Sequence, residues 1–204
     1  MKPILTAKEM QDAEANAFAH GLSPLEAMAR AGQAVFEAAR HFHRVLVYAR
    51  CSNNGGDGFT VKNFFHWCDP DLMTYAGIKT DVLVLGNPEK LSSHAAFYYE
   101  KIKPLIVTSP AANYDCVIDA LFGIGFHGEL SGAELEAAEA INKIGRKATV
   151  ISIDIPSGLS CDNGLTNLCV KADSTVTFGC KKLGHFLGKG ADACGKLTVA
   201  DIGI

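Results

Sequence analysis

Six short apolar runs, each three or four residues long and each closed by a loop, constrain this chain most: Val45-Leu46-Val47-Tyr48, Val82-Leu83-Val84-Leu85, Leu105-Ile106-Val107, Cys116-Val117-Ile118, Val150-Ile151-Ser152-Ile153 and Val176-Thr177-Phe178. Runs that are apolar on both faces suit parallel strands covered on either side by helices. Helical stretches fit between several of them, near residues 58–67, 92–102 and 132–145. The alternation predicts an α/β fold: a Rossmann-like, doubly wound, mostly parallel sheet in a three-layer α/β/α sandwich. A length of 204 residues fits one domain, 1–204, with N-terminal helices in 1–43 packed on a core formed by 44–204.

Three capping boxes mark helix starts: Thr6-Ala7-Lys8-Glu9, Ser23-Pro24-Leu25-Glu26 and Ser131-Gly132-Ala133-Glu134. The second helix carries Leu25, Met28, Ala29, Gly32, Val35, Phe36, Ala39 and Phe42 on one stripe, which assigns Met28 and Phe36 to the core. Its small residues permit close approach of a neighbouring element or a second subunit. Trp67 to Gly77, with Asp69-Pro70-Asp71, reads as irregular.

Nineteen basic and 22 acidic side chains give a net charge of −3, which removes the bulk attraction that nonspecific nucleic-acid binding needs. No apolar run is long enough to span a bilayer, and the charged start lacks the apolar core of a secretory signal. Seven cysteines, an odd number without a C-x-x-C pair, argue for reduced thiols. The expectation is a cytoplasmic protein with no nucleic-acid or membrane partner.

Ligands of such sheets bind beyond the carboxyl ends of the strands. Three loops there are unusual. Asn53-Asn54-Gly55-Gly56-Asp57-Gly58 brings carboxamides and backbone N–H groups to a helix start, an arrangement that holds phosphate, although Asn-Gly and Asp-Gly also make plain turns. Gly123, Gly125 and Gly128 match G-x-G-x-x-G, but in a later strand–helix unit than a dinucleotide fingerprint occupies, so a dehydrogenase is the weaker reading. Their effect is to let backbone approach a ligand closely. Asp119 and Asp154 end two central runs, where an unpartnered carboxylate would cost several kcal/mol. Asn54, Asp119 and Ser157 form a weakly charged oxygen donor set, suited to a monovalent cation rather than to calcium or zinc. Ile155-Pro156-Ser157-Gly158 lacks the preceding glycine of a hydrolase nucleophile elbow. His127 and His185 lie in glycine-rich loops and are candidates for ligand contact; the other histidines read as surface or core.

Taken together, N-N-G-G-D-G, D-A-L-F-G-I-G-x-x-G and D-I-P-S-G-L, followed by Thr175-Val176-Thr177-Phe178, Lys182-Leu183-Gly184 and Val199-Ala200-Asp201-Ile202-Gly203-Ile204, resemble the NAD(P)H-hydrate epimerase family, or YjeF N-terminal domain. Leu5-Thr6-x-x-Glu9-Met10 extends the likeness to the start. The resemblance implies a cytoplasmic homodimer with one potassium ion per subunit. It would interconvert the R and S forms of hydrated NADH and NADPH, so that an ADP- or ATP-dependent dehydratase acting on the S form can restore the cofactor. Substrate contacts carried over by motif are Asn53, Asn54, Gly55, Gly56, Asp57, Gly123, Ile124, Gly125, Phe126, His127, Gly128, Glu129 and Asp154. Asn54, Asp119 and Ser157 would hold potassium.

Inverting the hydroxylated C6 of the nicotinamide ring needs reversible hemiaminal cleavage with proton transfer by a positioned group. Asp154 is the expected acid/base, with its pKa raised by desolvation. Arg50 and Ser52 replace two glycines usual in the family ahead of the paired asparagines, which puts the conformation of that loop in question. The competing expectation is a weakened binding or scaffold member of the same fold.

Overall fold

The computed structural model describes residues 3–67 and 78–204; the segment expected to be irregular lies, beyond Trp67, outside them. The elements in chain order are β1 (Ile4–Leu5), α1 (Ala7–Ala19), α2 (Pro24–Ala39), β2 (Arg44–Arg50), α3 (Asn53–Trp67), β3 (Lys79–Leu85), α4 (Ser93–Ile102), β4 (Cys116–Ala120), α5 (Gly132–Ile144), β5 (Thr149–Ile153), β6 (Ser174–Phe178), β7 (Lys181–Lys182), α6 (Gly190–Ala193) and β8 (Lys196–Ala200).

Six strands pair in the order β3-β2-β4-β5-β6-β8, every neighbour parallel, and five of the six apolar runs are among them. Side chains alternate faces along each strand. Val45, Val47, Ile118 and Ile151 therefore pack with Met28, Phe36, Phe59 and Ile102 on one face. Leu46, Tyr48, Val117 and Val150 pack with Ala137, Ala138 and Ile141 of α5 on the other. Two buried clusters on opposite faces of one sheet make the three layers. Met28 and Phe36 are core residues as expected, and the close approach read from the α2 stripe is to α3: a Cβ on Gly32 would lie 2.5 Å from Thr60.

Strand order reverses beside β2, which has β3 on one side and β4 on the other. At such a switch point the chains leaving the two central strands diverge and open a crevice. The segments that flank it begin at Arg50 and at Ala120. Two of the three N-G-G-D-G glycines allow α3 to start immediately after β2. A Cβ on Gly55 would lie 1.7 Å from the Arg50 carbonyl oxygen, and one on Gly58 would lie 2.7 Å from Ala120 Cβ and 3.2 Å from Val47 Cγ1.

Several expectations are corrected. Leu105-Ile106-Val107 is not a sheet strand: it follows Pro104 in a 3-10 turn and makes only a bridge from Ile106 to Val82 beside the edge strand β3. The sixth strand is β8 instead, and β1 pairs with β7 in a separate parallel ribbon. The helix expected from about residue 58 begins at Asn53. Only the Thr6 capping box closes fully; at Ser23 and Ser131 no side-chain cap bond forms. In both, the glutamate three residues on is taken by an arginine: Glu26 by Arg30 at 2.6 Å, Glu134 by Arg50 at 3.2 Å.

Gly58→Ala should overpack the α3–β4 contact and cost about 1–3 kcal/mol. Thermal denaturation should register a drop of roughly 3–10 °C with the folded spectrum otherwise retained.

Candidate active site

The crevice at the switch point is a cavity of about 900 Å³. Its walls come from α1 (Gln11, Glu14, Phe18), α2 (Met28), the β2–α3 junction (Arg50, Ser52, Asn53, Asn54, Asp57), the segment 122–131 after β4, and Asp154 after β5. Of the residues expected to touch a ligand, Asn53, Asn54, Asp57, Gly123, Ile124, Gly125, Phe126, His127, Glu129 and Asp154 line it. Gly55, Gly56 and Gly128 are not among its lining residues; Gly56 packs on Met28, and Gly128 supplies a left-handed turn at φ 88°. Phe126 is also buried in the α5-side core.

Asp154 is the most constrained residue. Its backbone is left-handed at φ 67°, a conformation uncommon for non-glycine residues, among which aspartate adopts it more readily than most. Its N–H donates to the Val176 carbonyl at 2.7 Å, and its own carbonyl accepts from His185 Nε2 at 2.9 Å. His185 Nδ1 accepts the Lys182 N–H at 3.1 Å, so the ring's hydrogen resides on Nε2. Burial also lowers the His185 pKa, consistent with a neutral ring. His185 is thus a buried clasp on the backbone rather than a ligand contact, whereas His127 is exposed on the cavity wall.

The Asp154 carboxylate is bound on one oxygen only. Oδ1 accepts from Lys182 Nζ at 2.6 Å and from Thr177 Oγ1 at 3.0 Å, while Lys182 also reaches Thr177 Oγ1 at 2.7 Å and the Phe178 carbonyl at 3.0 Å. Oδ2 has no hydrogen-bond donor among the described residues and lies 3.1 Å from where a Cβ on Gly123 would be. Burial pushes this carboxyl up, but the Lys182 ammonium and the Thr177 hydroxyl more than offset it, and the pKa is lowered. The expected rise is therefore corrected: Asp154 is an ionised carboxylate with one free oxygen beside Gly123.

Asp119 and Ser157 are fully buried and lie outside the cavity lining. Asp119 Oδ1 accepts from Ser157 Oγ at 2.5 Å, and Oδ2 accepts from Ser152 Oγ at 2.8 Å and Ser157 N–H at 2.9 Å. Burial raises its pKa against these donors. Ser157 Oγ in turn accepts the Phe122 N–H at 2.9 Å, and the adjoining Gly123 abuts Asn54 Oδ1, 3.1 Å from a Cβ placed there. The Phe122-Gly123 turn thus joins all three donors expected to ligate a cation. The buried Asn54 Nδ2 has no partner, leaving this carboxamide unused by the protein. Among the described residues no group of three or more His, Cys, Asp or Glu could hold a metal ion.

Arg50 and Ser52 need no glycine, since neither has a positive φ. Ser52 Oγ accepts the Gly55 N–H at 3.2 Å, as a cap for α3, and Arg50 stacks at 4.9 Å over Phe122 while its Nε donates to Glu134. The substitution is accommodated and places a guanidinium on the cavity wall.

Two acids on that wall carry shifted protonation. Burial, with the nearby Asp154 charge, pushes Glu14 up to about 7 against the pull of Lys182. Asp57 is raised well above its ordinary value by burial and by the charges of Asp154 and Glu14. Sequence reasoning missed Glu14, although the signal was present: it follows Ala7 and Met10 on the buried stripe of α1, where an acid is out of place. Lys182 appeared in a motif without a role because nothing local marks it; its partner is 28 residues away.

Residues 25–184 match the family described as YjeF-related protein N-terminus. The chain belongs to this family. The NAD(P)H-hydrate epimerase of Limosilactobacillus reuteri is 32% identical over 97% of the chain and 94% of its own length. The epimerase of Levilactobacillus brevis is 32% identical over 100% of the chain and 95% of its own length. The Bifunctional NAD(P)H-hydrate repair enzyme Nnr of Archaeoglobus fulgidus is 34% identical over 98% of the chain, which spans only 42% of that protein. In structure the chain resembles the yeast protein ynu0 (YNL200c), with a TM-score of 0.73 at 17% identity over 89% of this chain and 82% of that one, a likeness of fold. Every residue of the Asp154–Lys182–His185 clasp except His185 falls inside the YjeF-related match; Glu14 also falls outside it.

Lys182→Met should leave Asp154 buried without its counter-ion and cost about 3–5 kcal/mol near pH 8. The Asp154 pKa then rises, so protonation at low pH relieves the loss. Urea unfolding at pH 5 and pH 8 should give the larger deficit at pH 8.

Proposed function

We propose that this protein is an NAD(P)H-hydrate epimerase, interconverting the R and S forms of hydrated NADH and NADPH. The reading rests on one observation above all: an ionised Asp154, with Oδ2 free beside Gly123, forms the wall of a cavity in a chain that matches named epimerases nearly end to end. The substrate is a hemiaminal whose C6 carries the hydroxyl, and its inversion requires a group that exchanges protons with that oxygen or with an attacking water. Asp154 is charged, fixed by its backbone clasp and desolvated, so its proton affinity changes with what enters the cavity.

Asn53, Asn54 and Asp57 on α3, with Gly123 to Glu129 opposite, support binding of the dinucleotide. The start of α3 supplies a positive dipole end suited to phosphate, and Arg50 adds a guanidinium. Asn54, Asp119 and Ser157 would hold one potassium ion; bound there, it would add a fixed positive charge that the buried Asp119 lacks. A cytoplasmic homodimer, and a dehydratase driven by ADP or ATP that consumes the S form, complete the reading. A scaffold without activity has no physical need for an ion pair and two further carboxyl groups at a cavity wall.

The test supplies (R)-hydrated NADPH to an S-specific dehydratase with ATP, and follows NADPH absorbance. Adding this protein should let the R form be consumed at a rate above its spontaneous epimerisation; an unchanged rate refutes the reading. Asp154→Asn should slow the added rate by about 10²–10⁴-fold in a folded variant. Thermal denaturation in potassium and in sodium salts at equal ionic strength should give the higher midpoint in potassium, and Ser157→Ala should abolish the difference.

A further inference from the structure

Inversion at one carbon has a requirement that a single ionised base does not meet: one proton must be delivered to the departing oxygen and another removed from the arriving one. Asp154 is held as a carboxylate by Lys182 and is poorly suited to deliver the first. Glu14 meets the same cavity from a different wall, built by α1 rather than by the sheet. The groups facing it are Asp154 at the end of β5, Asp57 on α3 and Lys182 on β7: Asp154 opposes its ionisation, Lys182 favours it but is already bound to Asp154, and the carboxyl of Asp57 is itself raised by burial. Glu14 makes no hydrogen bond to the described residues, so its carboxyl is not used to hold the fold together. The neighbouring Asn54, more than nine-tenths buried with Nδ2 unpartnered on the same cavity, is a second sign of a space built for a polar ligand.

The position of Glu14 is fixed through the N-terminus. Leu5 pairs with Lys182 in the β1–β7 ribbon, Thr6 caps α1 in a closed box with Glu9, and the Ala7 N–H donates to Asp162 Oδ1 at 2.6 Å. One short ribbon therefore holds both the helix that carries Glu14 and the strand that carries the counter-ion of Asp154.

We propose that Glu14 and Asp154 form an acid–base pair at C6 of the nicotinamide ring, which rests on the epimerase reading. Protonated Glu14 gives its proton to the C6 hydroxyl; the C6–O bond breaks with its electron pair leaving on water, and the N1 lone pair forms the N1=C6 iminium. Water then adds its oxygen to the other face of C6, the π pair returns to N1, and the proton lost by that water goes to Asp154. Exchange with solvent returns Asp154 to its carboxylate and Glu14 to its acid. Run in reverse, the same steps carry S to R.

A Glu14 kept near pH 7 by burial and by Asp154 supplies the acid at neutral pH, and the rate should fall as the pH rises through that region. The experiment measures the rate of R-to-S conversion of hydrated NADPH, by chromatographic separation of the epimers, from pH 5.5 to 9 in wild type, Glu14→Gln and Glu14→Asp. Wild type should lose kcat above about pH 7. Glu14→Gln should lower kcat at pH 6 by about 10²–10⁴-fold, leave KM within about threefold, and remove the alkaline limb. Glu14→Asp should recover part of kcat. Thermal stability of Glu14→Gln above pH 7 should equal or exceed wild type, because it removes a charge that burial disfavours. As a measurement independent of the variants' folding, 13C-carboxyl NMR of glutamate-labelled wild type should show one glutamate titrating near pH 7, displaced by NADP+. A Glu14→Gln protein with wild-type kcat, a loss confined to KM with the pH profile unchanged, or no glutamate titrating above the ordinary range overturns the pair. A wild-type protein that does not change the R to S ratio overturns the epimerase reading instead, and the pair with it.

Discussion

A carboxylate removed from water stays charged only where a counter-charge and hydrogen-bond donors replace its hydration. The ammonium of Lys182 and the hydroxyl of Thr177 do this for Asp154 on one oxygen, and much else in the molecule follows from their arrangement. The residue after β5 turns left-handed, and the neutral His185 ring clamps its carbonyl. β7 exists to place Lys182, and it recruits β1 as its only strand neighbour among the described residues. The ion pair thereby links the sheet to the start of the chain, and its negative member adds to the burial that raises Glu14 and Asp57 nearby.

The second constraint is steric. The crevice opens where the sheet order reverses, and its width depends on how closely α3 can follow β2 and lie over β4. Gly55 and Gly58 remove the two Cβ atoms that would keep the helix away, so Asn54 and Asp57 stand over the strand ends rather than beyond them. On the far side, Gly123 lies between the Asn54 and Asp154 oxygens, and the Phe122 N–H rests on Ser157 Oγ. Cavity wall and buried oxygen donors are two sides of one turn.

The sheet and the part of the cavity built by the loops after β2, β4 and β5 were legible because they depend on local pattern. Apolar runs at strand length and polar residues directly after them carry their meaning within about ten residues. What depended on distant partners was not legible. The lowering of the Asp154 pKa needs Lys182, and the two open capping boxes need Arg30 and Arg50, which draw off Glu26 and Glu134. Leu105-Ile106-Val107 has a strand's composition but follows a proline turn, whereas β8 was hidden by its partly exposed, less apolar sequence at the opposite edge. Glu14 was readable in principle, since an acid on the stripe of Ala7 and Met10 contradicts the helix's own amphipathic pattern.

The β1–β7 ribbon also dictates the order in which the molecule can become competent during synthesis. Leu5 cannot pair with Lys182, nor Ala7 with Asp162, 155 residues further on, until those later residues have left the ribosome. Strands β2 to β5 can assemble on contacts closer in sequence, since closing long loops is the slower event. The nascent chain would thus hold a formed sheet with an unfinished crevice, and the wall made by α1 would close over the strand ends last.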